Sequence, residues 1–226
     1  LPLAASSAYL GKAESSNGVP SMKILAVCMG SAETLTGKSY KTGILKIPVS
    51  GPVQVDGEGL LGDRICNRKH HGGPDQAVYI EGGATLDWWA VELGQPLAPG
   101  MFGENLVMSD LDNRDVAVGD RFVIGPLILE ATAPRTPCAT FASRMNDSMF
   151  VKRYTASGRP GIYCRVLAPG FVEAGQAVRH ELYAGDRVTM PELLAAYGRK
   201  LEKTDIARFL AAPLAIRIRT FFTEKL

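Results

Sequence analysis

Seven short apolar segments recur along this chain between glycine, proline, aspartate and asparagine breaks: MKILAVCM (22–29), TGILKIPV (42–49), QAVYIE (76–81), ENLVM (104–108), DRFVIG (120–125), LILEAT (127–132) and GIYCRVL (161–167). Each is too short for a core helix and rich in β-branched or aromatic residues, so each reads as a buried strand. Short strands separated by turn residues at this spacing predict a mostly β body, a barrel or a sandwich. One interruption, ATLDWWAVEL (84–93), has Leu86, Trp89, Ala90 and Leu93 near one face and predicts a helix lying on the barrel.

The pattern changes after Glu181. Thr189 and Glu192 form a capping box with Pro191 in the first turn; Thr204 is placed to cap a second helix, DIARFLAA, and Pro213 separates it from a third, LAIRIRTFF. The expected organisation is an appended or processed extension over 1–21, a β-barrel domain over 22–181 and a three-helix C-terminal unit over 182–226.

A chain of 226 residues with 46% hydrophobic content can bury a sizeable core. Its 25 basic and 23 acidic side chains leave a net charge of +2, too small a field for a dedicated binder of nucleic-acid polymers or membrane surfaces. No apolar run approaches the roughly 20 residues of a spanning helix. Four cysteines, Cys28, Cys66, Cys138 and Cys164, stand far apart without a CxxC pair, which fits a reducing cytoplasm and signals neither a zinc ribbon nor an iron–sulfur cluster.

GEGLLG (57–62) matches a dinucleotide-binding string, with Glu81 at the distance of a ribose-binding acid. No helical period follows it, so its glycines are assigned to turns between strands. KHHGGPD (69–75) is more informative. Gly72 and Gly73 free the backbone for positive φ, so with Lys69, His70 and His71 the turn can form a nest for oxyanions such as phosphate. A solvated turn with Asp75 paired to Lys69 is the plain alternative, and a zinc site using Cys66, His70 and His71 is a third.

In PRTPCATFASRM (134–145), Pro137 can pre-set a helix whose N-terminus holds Cys138. Unsatisfied N–H groups there, with Arg135 nearby, favour a thiolate that serves as nucleophile, sulfur carrier or soft-metal ligand. Cys28 and Cys164 lie in apolar strands and read as small core residues, and Cys66 is read the same way. In MFGENL (101–106), Asn105 could donate to a ligand carbonyl or close a turn. Trp88 and Trp89 could stack on an aromatic ligand, although the buried helix face is the simpler assignment; His180 reads as structural.

Taken in order, LLGD (60–63), KHHGGPDQAVY, FGENL, VGDRF (118–122) and PRTPC resemble the MOSC domain, named for the C-terminal part of molybdenum cofactor sulfurases, and the helical tail resembles its YiiM-type branch. The resemblance implies a MOSC-like β-barrel that binds the molybdenum–pterin cofactor, with Cys138 as the protein thiolate to molybdenum. It makes Lys69, His70, His71, Gly72 and Gly73, with Arg135, the cradle for the cofactor's anionic parts, and counts Asn105 among the cofactor-binding residues. It further implies two-electron reduction of N–OH to N–H in N-hydroxylated bases such as 6-hydroxylaminopurine, with His71 or Asp75 as proton donor. With no recognisable flavin, nicotinamide or cluster site in the chain, a separate reductase would supply electrons. Two positions depart from the branch: Ala139 stands where an aromatic residue is frequent, and Gln76 where a lysine is.

Three functions remain open at this stage: the reductase, a sulfur-transfer protein carrying a Cys138 persulfide, and a non-catalytic cofactor-binding module. Monomer and homodimer are equally open.

Overall fold

The computed structural model describes residues 22–68 and 71–226. The 1–21 extension, Lys69 and His70 therefore lie outside the described residues. The chain opens with β1 (Ile24–Gly30), a small ribbon of β2 (Glu33–Thr34) and β3 (Lys41–Thr42), then β4 (Lys46–Pro48), β5 (Val53–Asp56) and β6 (Gly59–Leu60). A 3-10 turn at Pro74–Gln76 leads into β7 (Val78–Gly82), α1 (Gly83–Leu93) and β8 (Leu106–Met108). There follow β9 (Arg121–Ile124), β10 (Leu127–Pro134), α2 (Ala139–Arg144), α3 (Phe150–Ser157), β11 (Ile162–Ala168), β12 (Gly170–Val172) and β13 (Arg179–Glu181). The tail is α4 (Met190–Ala196), α5 (Lys203–Ala211) and α6 (Ile216–Thr223).

The body is mostly sheet, as the seven segments predict. Its main sheet has eight strands in the order β13-β9-β10-β11-β7-β8-β1-β4, with β12-β5-β6 as a separate three-stranded sheet. The two end strands of the large sheet, β13 and β4, are not hydrogen-bonded to each other, so the expected barrel is an open mixed sheet rather than a closed cylinder. Only β7 and β8 run parallel among the strand pairs described. A parallel pair needs a crossover, and α1 lies in that crossover.

Alternation along the strands sorts side chains between two cores. Val27, Leu106 and Met108 join the large core, whereas Ala26, Cys28 and Val107 face a smaller one built on Trp89, Phe102, Phe141, Phe150 and Tyr154. Ring centroids in that aromatic cluster lie from 4.9 to 6.1 Å apart, mostly in edge-on and tilted pairs that suit aromatic quadrupoles, with Trp89 and Tyr154 stacked at 5.8 Å. Because Phe141 belongs to α2 and Phe150 and Tyr154 to α3, the cluster fixes both helices against the sheet. It also absorbs Trp89, while the Arg159 guanidinium covers Trp88, 4.7 Å from its ring centroid; neither indole lines the site described below.

The GEGLLG glycines do serve a hairpin. Gly59 has φ of 117°, and a Cβ there would fall 2.4 Å from the Ala77 carbonyl oxygen. Thr189 caps α4 by accepting from the Glu192 amide. Thr204 does not cap α5: the helix begins at Lys203 with Glu202 in the cap position, which leaves Thr204 inside the first turn. Helix residues including Met190, Leu193, Ile206, Phe209, Ile218 and Phe222 belong to the same large core as the sheet.

Asp120 locks the tail's approach. Its buried carboxylate accepts from the Ala117 amide at 3.0 Å, the Tyr183 amide at 2.8 Å and both Arg187 Nη atoms at 2.7 and 3.0 Å, and it lies 3.1 Å from His180 Nε2. His180 is accordingly structural, stacked on Phe122. Removing one partner of a buried ion pair strands the other. Asp120→Ala should therefore cost about 3 kcal/mol in denaturant unfolding; a loss under about 1 kcal/mol would contradict this role.

Candidate active site

A cleft with about 790 Å³ of unoccupied space, counting its open mouth, runs along one side of the sheet. Its lining gathers His71, Gly72, Asn105, Arg135 and Cys138, five of the residues singled out in the sequence. Around them stand Lys46, Asp63, Tyr79 and Tyr163, with Tyr40, Lys41, Arg64 and Cys66 also lining it.

Cys138 occupies the cap position of α2, with extended φ and ψ of −137° and 170°. Its carbonyl accepts the first helical bond, from Ala142 at 3.1 Å, while its thiol makes no capping bond. The backbone thus starts the helix and leaves a half-buried sulfur free beside the cleft. The other thiols differ. Cys28 and Cys164 are buried in strands as anticipated; burial pushes the Cys28 thiol up to about 12 and raises that of Cys164 as well. Cys66 departs from its reading as a core residue, because it is exposed on the loop that lines the cleft.

Arg135 is only 3% exposed, yet no carboxylate pairs with it among the described residues. Its guanidinium lies 3.8 Å from the Phe141 ring centroid and 5.6 Å from that of Tyr79. One long bond to the Thr136 carbonyl, at 3.4 Å, engages Nη1, and buried Nε has no partner. Aromatic faces stabilise the charge but cannot accept those N–H groups as a carboxylate would. A buried guanidinium with an orphan donor is a site prepared for an anionic or strongly accepting ligand.

Asn105 forms the floor. Its Oδ1 accepts from the Tyr79 amide at 3.1 Å, and Nδ2 donates to the Cys28 carbonyl at 3.3 Å and to Asp63 Oδ2 at 2.9 Å. Asp63 also accepts from the Gly30 amide at 2.8 Å and pairs with buried Lys46. The expectation that Asn105 donates to a ligand is therefore corrected: both ends of its carboxamide are committed to the protein. The neighbouring Glu104 is likewise turned inward, accepting from the Gly100 and Phe102 amides.

His71 Nδ1 lies 3.3 Å from the Tyr163 hydroxyl. Burial, and then the charges of Arg135 and Arg217, push the imidazole down to about 4, so it is neutral near pH 7 and stores no proton there. Gly72 has φ of 70°, and a Cβ there would meet Ile65 Cδ1 at 2.7 Å; glycine is the residue that fits this bend. Gly73 has φ of 83° and caps the next 3-10 turn, but it does not line the cleft.

Asp75 is the clearest correction. Its carboxylate pairs with Arg165 at 3.0 Å and accepts from the Ile216 amide at 2.7 Å, away from the cleft. It is a structural anchor, not a proton donor; the pairing with Lys69 considered from the sequence lies outside the described residues, as does His70. Among the described residues no cluster of three His, Cys, Asp or Glu side chains forms a metal site, and no helix is long and apolar enough to cross a membrane.

The sequence reading missed Lys46, Asp63, Tyr79 and Tyr163. Asp63, the acid of LLGD, and Tyr79, the end of KHHGGPDQAVY, lay inside motifs without being singled out; Lys46 and Tyr163 sit in apolar segments that read only as strands. Lys41 and Arg64, both exposed, add positive charge to the lining where Lys69 had been expected to supply it.

This fold and cleft define a MOSC protein. The model of the MOSC domain matches residues 67–179, and the chain belongs to that family. It is similar to YflK of Bacillus subtilis, 33% identical over 154 residues, covering 67% of this chain and 70% of that protein. YiiM of Escherichia coli is 33% identical over 152 residues, 63% of this chain and 67% of that one. The crystal structure of YiiM from Geobacillus stearothermophilus superposes with a TM-score of 0.76 at 25% identity, covering 91% of this chain and 99% of that chain. The YiiM-type branch expected from the motifs is supported.

Between about 6.5 and about 4 the unfolded chain would carry a proton on His71 that the folded chain refuses, so acidification through that window removes stability. An NMR titration should find the imidazole protonating near 4, and His71→Asn should unfold less readily on acidification; protonation near 6.5 would overturn this assignment.

Proposed function

We propose that this MOSC protein holds the molybdenum–pterin cofactor in the cleft and reduces N-hydroxylated bases such as 6-hydroxylaminopurine. The observation that carries the reading is the uncommitted thiol of Cys138, at the start of α2, sharing a cleft with a buried guanidinium, Arg135, whose Nε has no partner. A soft sulfur for a soft metal and a forked cation for an anionic group are the donor types this cofactor needs. Cys138 would ligate the metal, while Arg135, Gly72 and the lining cations Lys41 and Arg64 would hold the anionic parts.

The bound cofactor would supply the two-electron redox chemistry. The overall change adds two electrons and two protons to R–NHOH and yields R–NH2 and water, with a separate reductase as electron source. The chain's own part is to orient and to limit water. Tyr79 and Tyr163, with ring centroids 5.3 Å apart, offer aromatic surface and, at Tyr163, a hydroxyl in contact with neutral His71. That pair can relay a solvent proton to the departing hydroxyl, a role Asp75 is placed too far aside to share.

Cys138→Ala should abolish reduction of 6-hydroxylaminopurine with an artificial donor. Loss of supporting groups around a metal already costs about 10–100-fold, so loss of the ligand itself should exceed that. Arg135→Met, which can still pack on Phe141, should lower molybdenum and pterin per chain. Full activity and metal content in Cys138→Ala would end the proposal; a persulfide on Cys138 without bound metal would favour sulfur transfer, and metal with pterin but no turnover a binding module.

A further inference from the structure

The C-terminal helix holds the chain on both sides of the Gly72–Gly73 pair. Arg217, in the first turn of α6, donates through Nη2 to the carbonyl of Arg68 at 2.8 Å and through Nη1 to Oε1 of Gln76 at 2.9 Å. One planar fork therefore ties residue 68 to residue 76, on either side of the two glycines, like a clasp. One residue earlier, the Ile216 amide donates to Asp75 Oδ2 at 2.7 Å. Asp75 is tied to the sheet as well, by Arg165 of β11 and through its carbonyl, which accepts from the buried Thr132 hydroxyl of β10 at 2.5 Å.

These contacts join three elements, α6, β10 and β11, to the residues that follow the two glycines. The turn needs Gly72 at positive φ against Ile65 and Gly73 at positive φ beyond it, and two adjacent glycines carry a high cost in chain entropy. An exposed arginine contributes little through charge alone. Two bonds from one guanidinium, to residues on either side of the glycines, act differently, because they restrict how far residues 68 and 76 can separate.

We propose that Arg217 is a positioning residue for the cleft: by bridging Arg68 and Gln76, α6 holds His71 and Gly72 against the ligand. The C-terminal helices are then part of the site's frame. What this predicts for cofactor retention rests on the molybdenum–pterin reading, whereas the clasp itself does not.

The test uses Arg217→Ala and Arg217→Lys in the full chain. Lysine keeps the charge but cannot bridge residues 68 and 76 with a planar fork. Amide hydrogen exchange at His71, Gly72 and Gln76, measured without cofactor, should quicken about tenfold in both variants, the scale expected for losing hydrogen bonds to a charged group. Exchange in α4 and α5 and the global unfolding midpoint should be unchanged. Chain isolated after expression with molybdenum should retain less metal and pterin in both variants, with KM for the hydroxylamino substrate raised more than kcat falls. Unchanged exchange in Arg217→Ala, or full restoration by lysine, would overturn the clasp. Faster exchange with undiminished metal and pterin would overturn the cofactor-holding role, and a wild-type chain that never takes up the cofactor would sink the functional reading while leaving the exchange result standing.

Discussion

One buried carboxamide organises the centre of this molecule. Asn105 joins Tyr79 of β7 and Cys28 of β1 just before β8 begins between them, and passes its remaining donor to Asp63, which in turn holds Lys46 at the start of β4. A polar network this deep is stabilising only when every member is satisfied, and here the carboxamide and both Asp63 oxygens are engaged. The parallel β7–β8 pair, the edge strand and the loop that carries the glycine turn all meet at that point. The cleft lies directly over it, so its floor is rigid and its polar groups are already spent.

That saturation explains how the site presents chemistry selectively. Glu104 satisfies its own loop, Asp63 neutralises Lys46, and Glu81 is occupied by Tyr79 and Asn113 at 2.5 Å each. Burial raises the Glu81 carboxyl to about 8. Carboxylates near the cleft are thus either paired or turned inward, while Arg135 lies between aromatic rings with an unused donor. The thiols divide similarly: Cys28 and Cys164 are sealed among apolar strands, Cys66 is exposed on the lining loop, and Cys138 is released by the first turn of a helix that Phe141 pins to the core.

Much of this was legible from residue order. Every apolar segment became a strand, and the capping box at Thr189 started α4, because these signals depend on local periodicity and local hydrogen bonding. Cys138 stood out because a proline and an arginine beside a helix start form a compact local pattern. What escaped reading was long-range. Asp75 looked like a site acid until Arg165 and the Ile216 amide, 90 and 141 residues away, claimed it. Asn105 looked available until strands far apart in sequence used both its ends. Sheet closure was misjudged for the same reason, since no local feature states whether β13 meets β4. The Cys66 error had another cause: its neighbours, unlike those of Cys28, are too polar for a core strand.

The central claim is that Cys138 is the one sulfur of this chain that a guest metal meets. X-ray absorption at the molybdenum edge of cofactor-loaded protein tests it most directly. One sulfur neighbour present in the wild type and missing in Cys138→Ala is the predicted result; an unchanged sulfur shell in the variant would contradict it.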